Sequence, residues 1–228
     1  MLPISMTAIQ APPFSLYGDG TAIFRDTTAS PPVADGPITR GIPFAIVRLN
    51  EDQVQTLLEF ALGQGALGIA RATYELPIMD AGTTTFTLNA GGLRKTVSVN
   101  GLGLDVPNTP DTAVLRQLVS LRARLQGFAA EVGGEQPWLP DHYRGILTSD
   151  AFGPPAAWPW TSIAPADFRS TNPQGLFVAT RVMTPAEIGE LGISGFEGGA
   201  QGWVFASPTA TGGPFSFGFR PILPDDQM

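Results

Sequence analysis

Residues 83–99 carry the strongest pattern in the chain and constrain its fold more than any other stretch. Apolar and polar side chains alternate in TTTFTL, and the alternation resumes in LRKTVSV after the break NAGG. A period of two with many β-branched residues is typical of β-strands, and a glycine pair between two such runs is typical of a hairpin. One face of the hairpin is apolar and contains Phe86, Leu88, Val97 and Val99. We therefore predict a sheet on which the flanking helices pack.

Two amphipathic segments flank the hairpin. The first begins after Asn50, whose side chain is a suitable N-cap, and Gln53 stands three residues later, as in a capping box. Its apolar residues recur at helical spacing until Gly63, which predicts a helix with one buried stripe. The second is predicted to begin at Thr109-Pro110-Asp111, with proline in the first helical position, and its apolar face continues to Phe128.

The order of the elements predicts an α+β protein. Extended runs at residues 14–17, 21–25 and 38–49 precede the first helix, so residues 1–135 have the order β-β-β-α-β-β-α. We expect one curved antiparallel sheet with both helices on one face. Residues 136–228 contain a connection rich in proline and tryptophan, followed by a small β-α-β-β unit whose helix has a capping sequence at Thr184. This unit is either a second subdomain or an extension of the first sheet.

Composition excludes several functional classes. The net charge is −7 and no basic cluster is present, which argues against nucleic-acid binding. Without cysteine, and with a single histidine, the chain offers neither thiolate nor multi-histidine metal sites. Its glycine clusters lack the flanking residues of nucleotide-binding loops, so we expect no cofactor. No apolar run is long enough to span a bilayer, so we expect no transmembrane segment.

Several short motifs resemble a bacterial domain of unknown function that occurs in exported proteins and predicted lipoproteins. The resemblance rests on residues 14–21 (FSLYGDGT), 80–87 (DxxTTxFT) and 91–99 (GGxxKTVSV), and it covers residues 14 to about 128. Tyr143-Arg144 and residues 220–226 (RPILPDD) are similar to longer members. The resemblance implies a location in the cell envelope or outside the cell and assigns no catalytic or binding residues. Because the chain shows neither leader nor lipid-anchor cysteine, a cytoplasmic location is the alternative.

Two residues are candidates for catalysis. Lys95 is the only lysine and has the parity of the apolar hairpin face, where a desolvated amine can act as a base or nucleophile. The alternative is a structural lysine that reaches solvent or pairs with a carboxylate such as Asp80. His142 precedes Ser149 and Asp150, the residue types of a hydrolase triad, but no nucleophile elbow accompanies them. A hydrolase using His142 or Lys95 is therefore an alternative function.

The tryptophans are the remaining candidates for binding. Trp158 and Trp160 lie on one side of an extended segment, with Trp138 as a candidate neighbour in space, and indoles stack on sugars, peptides and aromatic ligands. Alternatively, they fasten an irregular connection to the sheet. We interpret the chain as a non-enzymatic binding or scaffolding protein of the cell envelope, or a secreted one, with an unknown small molecule or protein as partner. An enzyme-inhibitor module, with residues 27–37 or 207–214 as its protruding loop, is the other alternative.

Overall fold

The computed structural model of the protein describes residues 10–30, 32–104, 109–149, 151, 153–170, 178–208 and 213–226. The helices are α1 (Glu51–Leu62), α2 (Thr112–Gln126) and α3 (Pro185–Gly189), with 3-10 turns at Phe128–Ala130 and Pro165–Asp167. The strands, in chain order, are β1 (Phe14–Leu16), β2 (Thr21–Arg25), β3 (Thr39–Arg40), β4 (Phe44–Arg48), β5 (Thr73–Tyr74), β6 (Thr83–Ala90), β7 (Leu93–Asn100), β8 (Gln136–Pro137), β9 (Tyr143–Thr148), β10 (Arg169–Ser170), β11 (Val178–Met183), β12 (Ala200–Phe205) and β13 (Phe215–Pro221).

The predicted α+β class is confirmed, but the strands expected in one sheet are distributed over several. Within the described residues they form a four-stranded sheet (β1-β2-β4-β8), a six-stranded sheet (β10-β11-β9-β13-β12-β3) and a three-stranded sheet (β5-β7-β6). Short β3 pairs with β12, far along the chain, and this pairing has no local signature in the sequence. Strands β9 to β13 therefore lie with β3 in a sheet that is separate from the hairpin sheet.

The chain divides into two compact units. One comprises residues 14–23 and 46–135, and we call it the hairpin unit; the other comprises residues 1–13, 24–45 and 136–228, and we call it the six-stranded unit. One change of unit falls between Glu135 and Gln136. Residues 24–45, however, group with the carboxy-terminal half, because β3 pairs with β12.

The hairpin unit is built as the alternation of residues 83–99 predicts. Strands β6 and β7 pair antiparallel from Thr83–Asn100 to Ala90–Leu93, and Phe86 faces Val97. Gly91 and Gly92 form the two-residue turn with φ of 57° and 80°, values that glycine adopts without steric cost. Phe86, Val97 and Val99 are buried and share a core with apolar residues of both long helices, including Ala61, Leu115, Leu118 and Leu121. The predicted packing of α1 and α2 on this hairpin is confirmed.

The amino-terminal ends of α1 and α3 agree with the predictions from the sequence, and that of α2 does not. The Asn50 side chain accepts a hydrogen bond from Gln53 N, and the Gln53 side chain accepts one from Asn50 N, each at 2.9 Å, which confirms the capping box of α1. Thr184 and Glu187 make the same reciprocal arrangement at α3. At α2 the prediction was wrong in detail, because the helix begins at Thr112 and Pro110 precedes it. The Asp111 side chain makes no capping bond and pairs with Arg71 instead.

The six-stranded unit has an aromatic core. Central strands β9 and β13 place Leu147 opposite Phe217 and Tyr143 opposite Pro221. Around them lies one buried cluster that includes Trp160, Phe168, Met183, Ile188, Phe205 and Phe219. Gly145 of β9 faces this cluster, and a methyl group on it would lie 2.5 Å from Met183 Sδ and 3.2 Å from ring atoms of Phe168 and Phe217, so these side chains would have to shift.

Candidate functional site

A pocket with a volume of about 190 Å³ lies in the six-stranded unit, beside the pairing of β3 with β12. Strand β3 supplies Thr39 and Arg40, which lie opposite Gln201 and Ala200 of β12. The turn before β12 and the last residue of β2, Arg25, complete most of the wall. The pocket is therefore assembled from segments that are far apart in the sequence, and we call it the arginine pocket.

Two glycine backbones meet at the wall of the arginine pocket. Gly41 N donates a hydrogen bond to Gly199 O at 2.8 Å. A Cβ atom on Gly41 would lie 2.3 Å from Gly198 O, and a Cβ atom on Gly198 would lie 2.4 Å from Gly41 O. Side chains are thus excluded at both positions, because these backbone atoms cannot move apart without breaking the β3–β12 pairing. The sequence indicated only a turn at Gly198-Gly199. In the structure these glycines also allow the backbone of Gly41 to approach closely.

Arg25 places a half-buried guanidinium at the pocket. Its Nη1 donates a hydrogen bond to Ile42 O at 2.9 Å, and its Cζ lies 4.7 Å from the centroid of the Phe44 ring. Burial lowers the pKa of Arg25, because a desolvated guanidinium is less stable in its charged form. Among the described residues no carboxylate forms an ion pair with it. Among these residues, a carbonyl dipole and an aromatic face contact its charge.

Arg40 is the second arginine that lines the pocket, and most of its side chain is buried. Its side chain is 12% exposed. Nη1 donates to Val33 O at 2.7 Å, and Nη2 lies 3.9 Å from Asp35 Oδ2, on a carboxylate that is 74% exposed. The buried Nε has no hydrogen-bond partner. An ion pair of that length with a solvated carboxylate compensates the Arg40 charge only weakly.

The lining of the pocket is suited to recognition. Besides the two guanidiniums it contains the amides of Gln10 and Gln201, the hydroxyl of Thr39 and backbone groups. These side chains bring several N–H donors to one small space, and guanidinium donors are permanently charged. Within the described part of the chain, no three acidic or histidine side chains are grouped in a way that would hold a metal ion. Donors of this kind attract ligands with oxygen acceptors.

Lys95 occupies a structural position on the hairpin. It lies opposite Leu88, and its Nζ donates a hydrogen bond to Gly68 O at 2.9 Å. This contact agrees with the structural interpretation, although the acceptor is a backbone carbonyl and not the proposed carboxylate. Asp80 is exposed, has a positive φ of 58° and lies in the connection before β6. Neither residue lines the arginine pocket.

His142 lies immediately before β9 and is half-buried. Its backbone carbonyl accepts a hydrogen bond from Ile222 N at 3.0 Å, which fastens the segment after β13 to the start of β9. Ser149 follows β9 and is exposed, whereas Asp150 lies outside the described residues. Across the described residues no hydrogen bond to the imidazole is found. The hydrolase alternative therefore gains no geometric support from His142.

The three candidate tryptophans contribute to packing. Trp160 is 3% exposed, and its Nε1 donates to Glu187 O at 2.8 Å. Trp158 is half-buried, donates from Nε1 to Ile163 O at 2.6 Å and meets Trp160 edge to face with centroids 5.2 Å apart. Trp138 packs edge to face on Phe44 at 5.8 Å. These contacts favour the interpretation in which the tryptophans fasten the irregular connection to the sheet.

The loops considered for an inhibitor are described only in part. Residues 31 and 209–212 lie outside the described residues. Within the first loop, Asp35 and Ile38 form an isolated bridge, and Val33 is 84% exposed while its carbonyl accepts the Arg40 hydrogen bond. That loop is thus tied to the arginine pocket through its backbone.

Neither Arg25 nor Arg40 was predicted from the sequence to be a site residue. Both arginines lie at the end of short strands and belong to no motif, and the pairing that brings them to one pocket joins β3 to β12. The available signal was weak: Arg40 precedes Gly41, and a glycine pair occurs at Gly198-Gly199 in a chain poor in charge.

No protein-family model matches the sequence, and neither a curated protein nor a solved structure is significantly similar to it. Among the described residues, no helix combines the length and the apolar character that crossing a bilayer requires.

Proposed function

We propose that the protein is a non-enzymatic binding protein that holds a small molecule in the arginine pocket. The observation that carries this proposal is the chemistry of the lining. Arg25, Arg40, two glutamines and Thr39 supply hydrogen-bond donors at one place, and the described lining residues include no carboxylate, imidazole or amine. Such a set recognises a ligand and holds it in one orientation.

The same lining is poorly suited to catalysis. General acid–base catalysis needs a group that gains and loses a proton near the working pH, and a guanidinium stays protonated throughout that range. The Thr39 hydroxyl is a nucleophile only when a neighbouring base removes its proton. No such base is found among the described residues of the lining. Binding without turnover is the activity that these side chains support.

We further propose that the protein acts in the cell envelope or outside the cell. This location is supported by the resemblance of residues 14–21, 80–87 and 91–99 to a domain found in exported bacterial proteins. Fractionation of cells that express the native gene tests it. Recovery in the periplasmic, membrane or secreted fraction supports the proposal, and recovery only with cytoplasmic markers contradicts it.

The binding function is tested by ligand screening with the full chain. Uniformly ¹⁵N-labelled protein is mixed with a fragment library that contains anionic, neutral and cationic members, and backbone amide shifts are recorded. We expect at least one fragment to move the amide signals of Gly41, Gly199 and Gln201, which line the pocket. The bound fragment should be recovered chemically unchanged. Fragments that move only signals elsewhere in the chain, or conversion of a bound fragment to product, would contradict the proposal.

A further inference from the structure

The charge of Arg40 is poorly balanced by its surroundings. A guanidinium whose side chain is 12% exposed has lost most of its hydration, and the cost of that loss is normally offset by a carboxylate or by a full set of hydrogen bonds. Here Nη1 has a carbonyl partner, Nη2 has a distant solvated carboxylate, and buried Nε has none. The Arg40 guanidinium therefore has one backbone acceptor and one long ion pair, and its Nε, which solvent does not reach, has no acceptor.

Arg25 adds a second positive charge to the same pocket. A Cβ atom on Gly41 would lie 3.2 Å from Arg25 Nη1. The Arg25 guanidinium therefore lies close to the backbone of Gly41, the residue after Arg40. Two partly buried cations that line one pocket, without a strong internal anion, repel each other. An anion bound in the pocket would reduce this repulsion and take the place of water contacts that the guanidiniums lose on burial.

The pocket walls hold these groups in place before a ligand arrives. Arg25 is fixed by its hydrogen bond to Ile42 O and by the Phe44 ring, and Arg40 by its hydrogen bond to Val33 O. Gly41 and Gly198 pack backbone against backbone with no space for side chains. A preorganised site loses little conformational entropy when it binds, which allows even a small ligand to be held.

The volume of the pocket limits the size of the ligand. One water occupies about 30 Å³ of liquid, and pockets for drug-sized ligands have about 300–1,000 Å³. A volume of about 190 Å³ therefore accommodates an oxyanion with a few further atoms. The amides of Gln10 and Gln201 provide donors and acceptors for polar groups next to the anion.

We propose that the arginine pocket is a binding site for a small oxyanion, a carboxylate or a phosphate, held between the guanidiniums of Arg25 and Arg40. The planar fork of donors on arginine matches the paired oxygens of both groups. This inference rests on the proposed binding function and specifies the class of its ligand.

NMR signals of the two arginine side chains report ligand binding at the pocket. The Nε–Hε signals of Arg25 and Arg40 are assigned through bonds in ¹⁵N-labelled full-length protein, and the protein is titrated with inorganic phosphate, acetate and acetamide. Ionic strength is held constant with sodium chloride, so that general screening does not change. We expect phosphate or acetate to shift the Arg40 Nε–Hε signal with saturation. Acetamide, the neutral isostere of acetate, should bind at least tenfold more weakly. The ratio of phosphate to acetate affinity distinguishes a phosphorylated ligand from a carboxylic acid.

Variants test which residues hold the anion. Arg40→Gln removes the charge and should weaken anion binding by about 10- to 100-fold, the loss expected for a charge-assisted hydrogen bond. Arg40→Lys keeps the positive charge but lacks the planar pair of N–H donors, so this variant should also bind the anion more weakly than the wild-type protein. Arg169→Gln is the matched control, since Arg169 is exposed, belongs to the same unit and does not line the pocket. Its affinity should stay within twofold of wild type.

The outcomes separate this inference from the proposed function. Acetamide binding in the pocket as tightly as acetate would overturn the oxyanion assignment and leave the binding function standing. Anion binding that Arg40→Gln and Arg169→Gln weaken equally would also overturn the assignment, because it would show attraction to general positive charge. If Arg40→Gln does not fold, the comparison of acetate with acetamide on the wild-type protein decides the question. Failure of every fragment and ion to move a pocket signal would overturn both proposals.

Discussion

Truncation of Leu118 to alanine tests the packing of the long helices on the hairpin. Leu118 is 0% exposed and belongs to the same core as Val97 and Val99. The change removes about three carbons of buried surface, which at about 0.8 kcal/mol per carbon gives about 2.4 kcal/mol. The cavity left behind raises the expected loss to about 3–4 kcal/mol, within the range of about 2–5 kcal/mol for buried leucines. Alanine is the best helix former, so the helix itself is not weakened.

The assay is equilibrium unfolding in urea, monitored by two probes. All four tryptophans (Trp138, Trp158, Trp160 and Trp203) lie in the six-stranded unit, whereas the two long helices lie in the hairpin unit. The helical circular dichroism signal therefore reports mainly on the hairpin unit, and tryptophan fluorescence reports on the other. Leu104→Ala is the control, because Leu104 is 49% exposed and belongs to the same unit. If Leu118→Ala lowers the free energy of unfolding no more than Leu104→Ala does, the hairpin core described above is refuted.

Three further predictions concern single contacts. Asn50→Ala removes half of the capping box with Gln53 and should cost about 1 kcal/mol in urea unfolding, whereas Asn50→Ser should cost much less; equal losses would contradict the capping role. The hydrogen bond from Arg181 lowers the pKa of Glu187, so this carboxylate stabilises the fold above its ordinary pKa of 4.5, and the contribution is lost as the pH falls through the lower folded value. Glu187→Gln should therefore be less stable than wild type at neutral pH and approach it in acid; a pH-independent difference would contradict this linkage. Gly198→Ala would place a Cβ 2.4 Å from two carbonyl oxygens, and we expect a loss of about 1–3 kcal/mol on thermal or urea unfolding, where a neutral result would contradict the close contact.

Features with local causes were predictable from the sequence. The alternation around Phe86 and Val97 produces the hairpin because side chains of a strand point to opposite faces in turn. The capping boxes at Asn50 and Thr184 involve residues only three positions apart, so their hydrogen bonds follow from short motifs. At α2 the same reasoning failed in detail, because Thr109 and Pro110 lie in a turn before the helix, where the Thr112 hydroxyl donates to Thr109 O, and the helix begins at Thr112.

The candidate site depends on pairing between distant segments and was not predictable in this way. Thr39–Arg40 is a strand of two residues, too short to show a period, and its partner β12 follows much later in the chain. This pairing brings Arg40 and Gly198 to the same pocket. The sequence also does not show that the Arg40 side chain is largely buried, which is what makes its charge costly. The aromatic candidates Trp158 and Trp160 looked suited to binding because the sequence does not show which large side chains are buried.

The oxyanion site is tested most directly by an anion that can be located in a crystal. Selenate is a tetrahedral oxyanion, and its selenium scatters anomalously, so a crystal of the full chain soaked in selenate shows where it binds. We expect an anomalous peak in the arginine pocket, with selenate oxygens within hydrogen-bond distance of the Arg25 and Arg40 guanidiniums. Selenate bound elsewhere on the protein, with the arginine pocket empty of it, would contradict the proposed site.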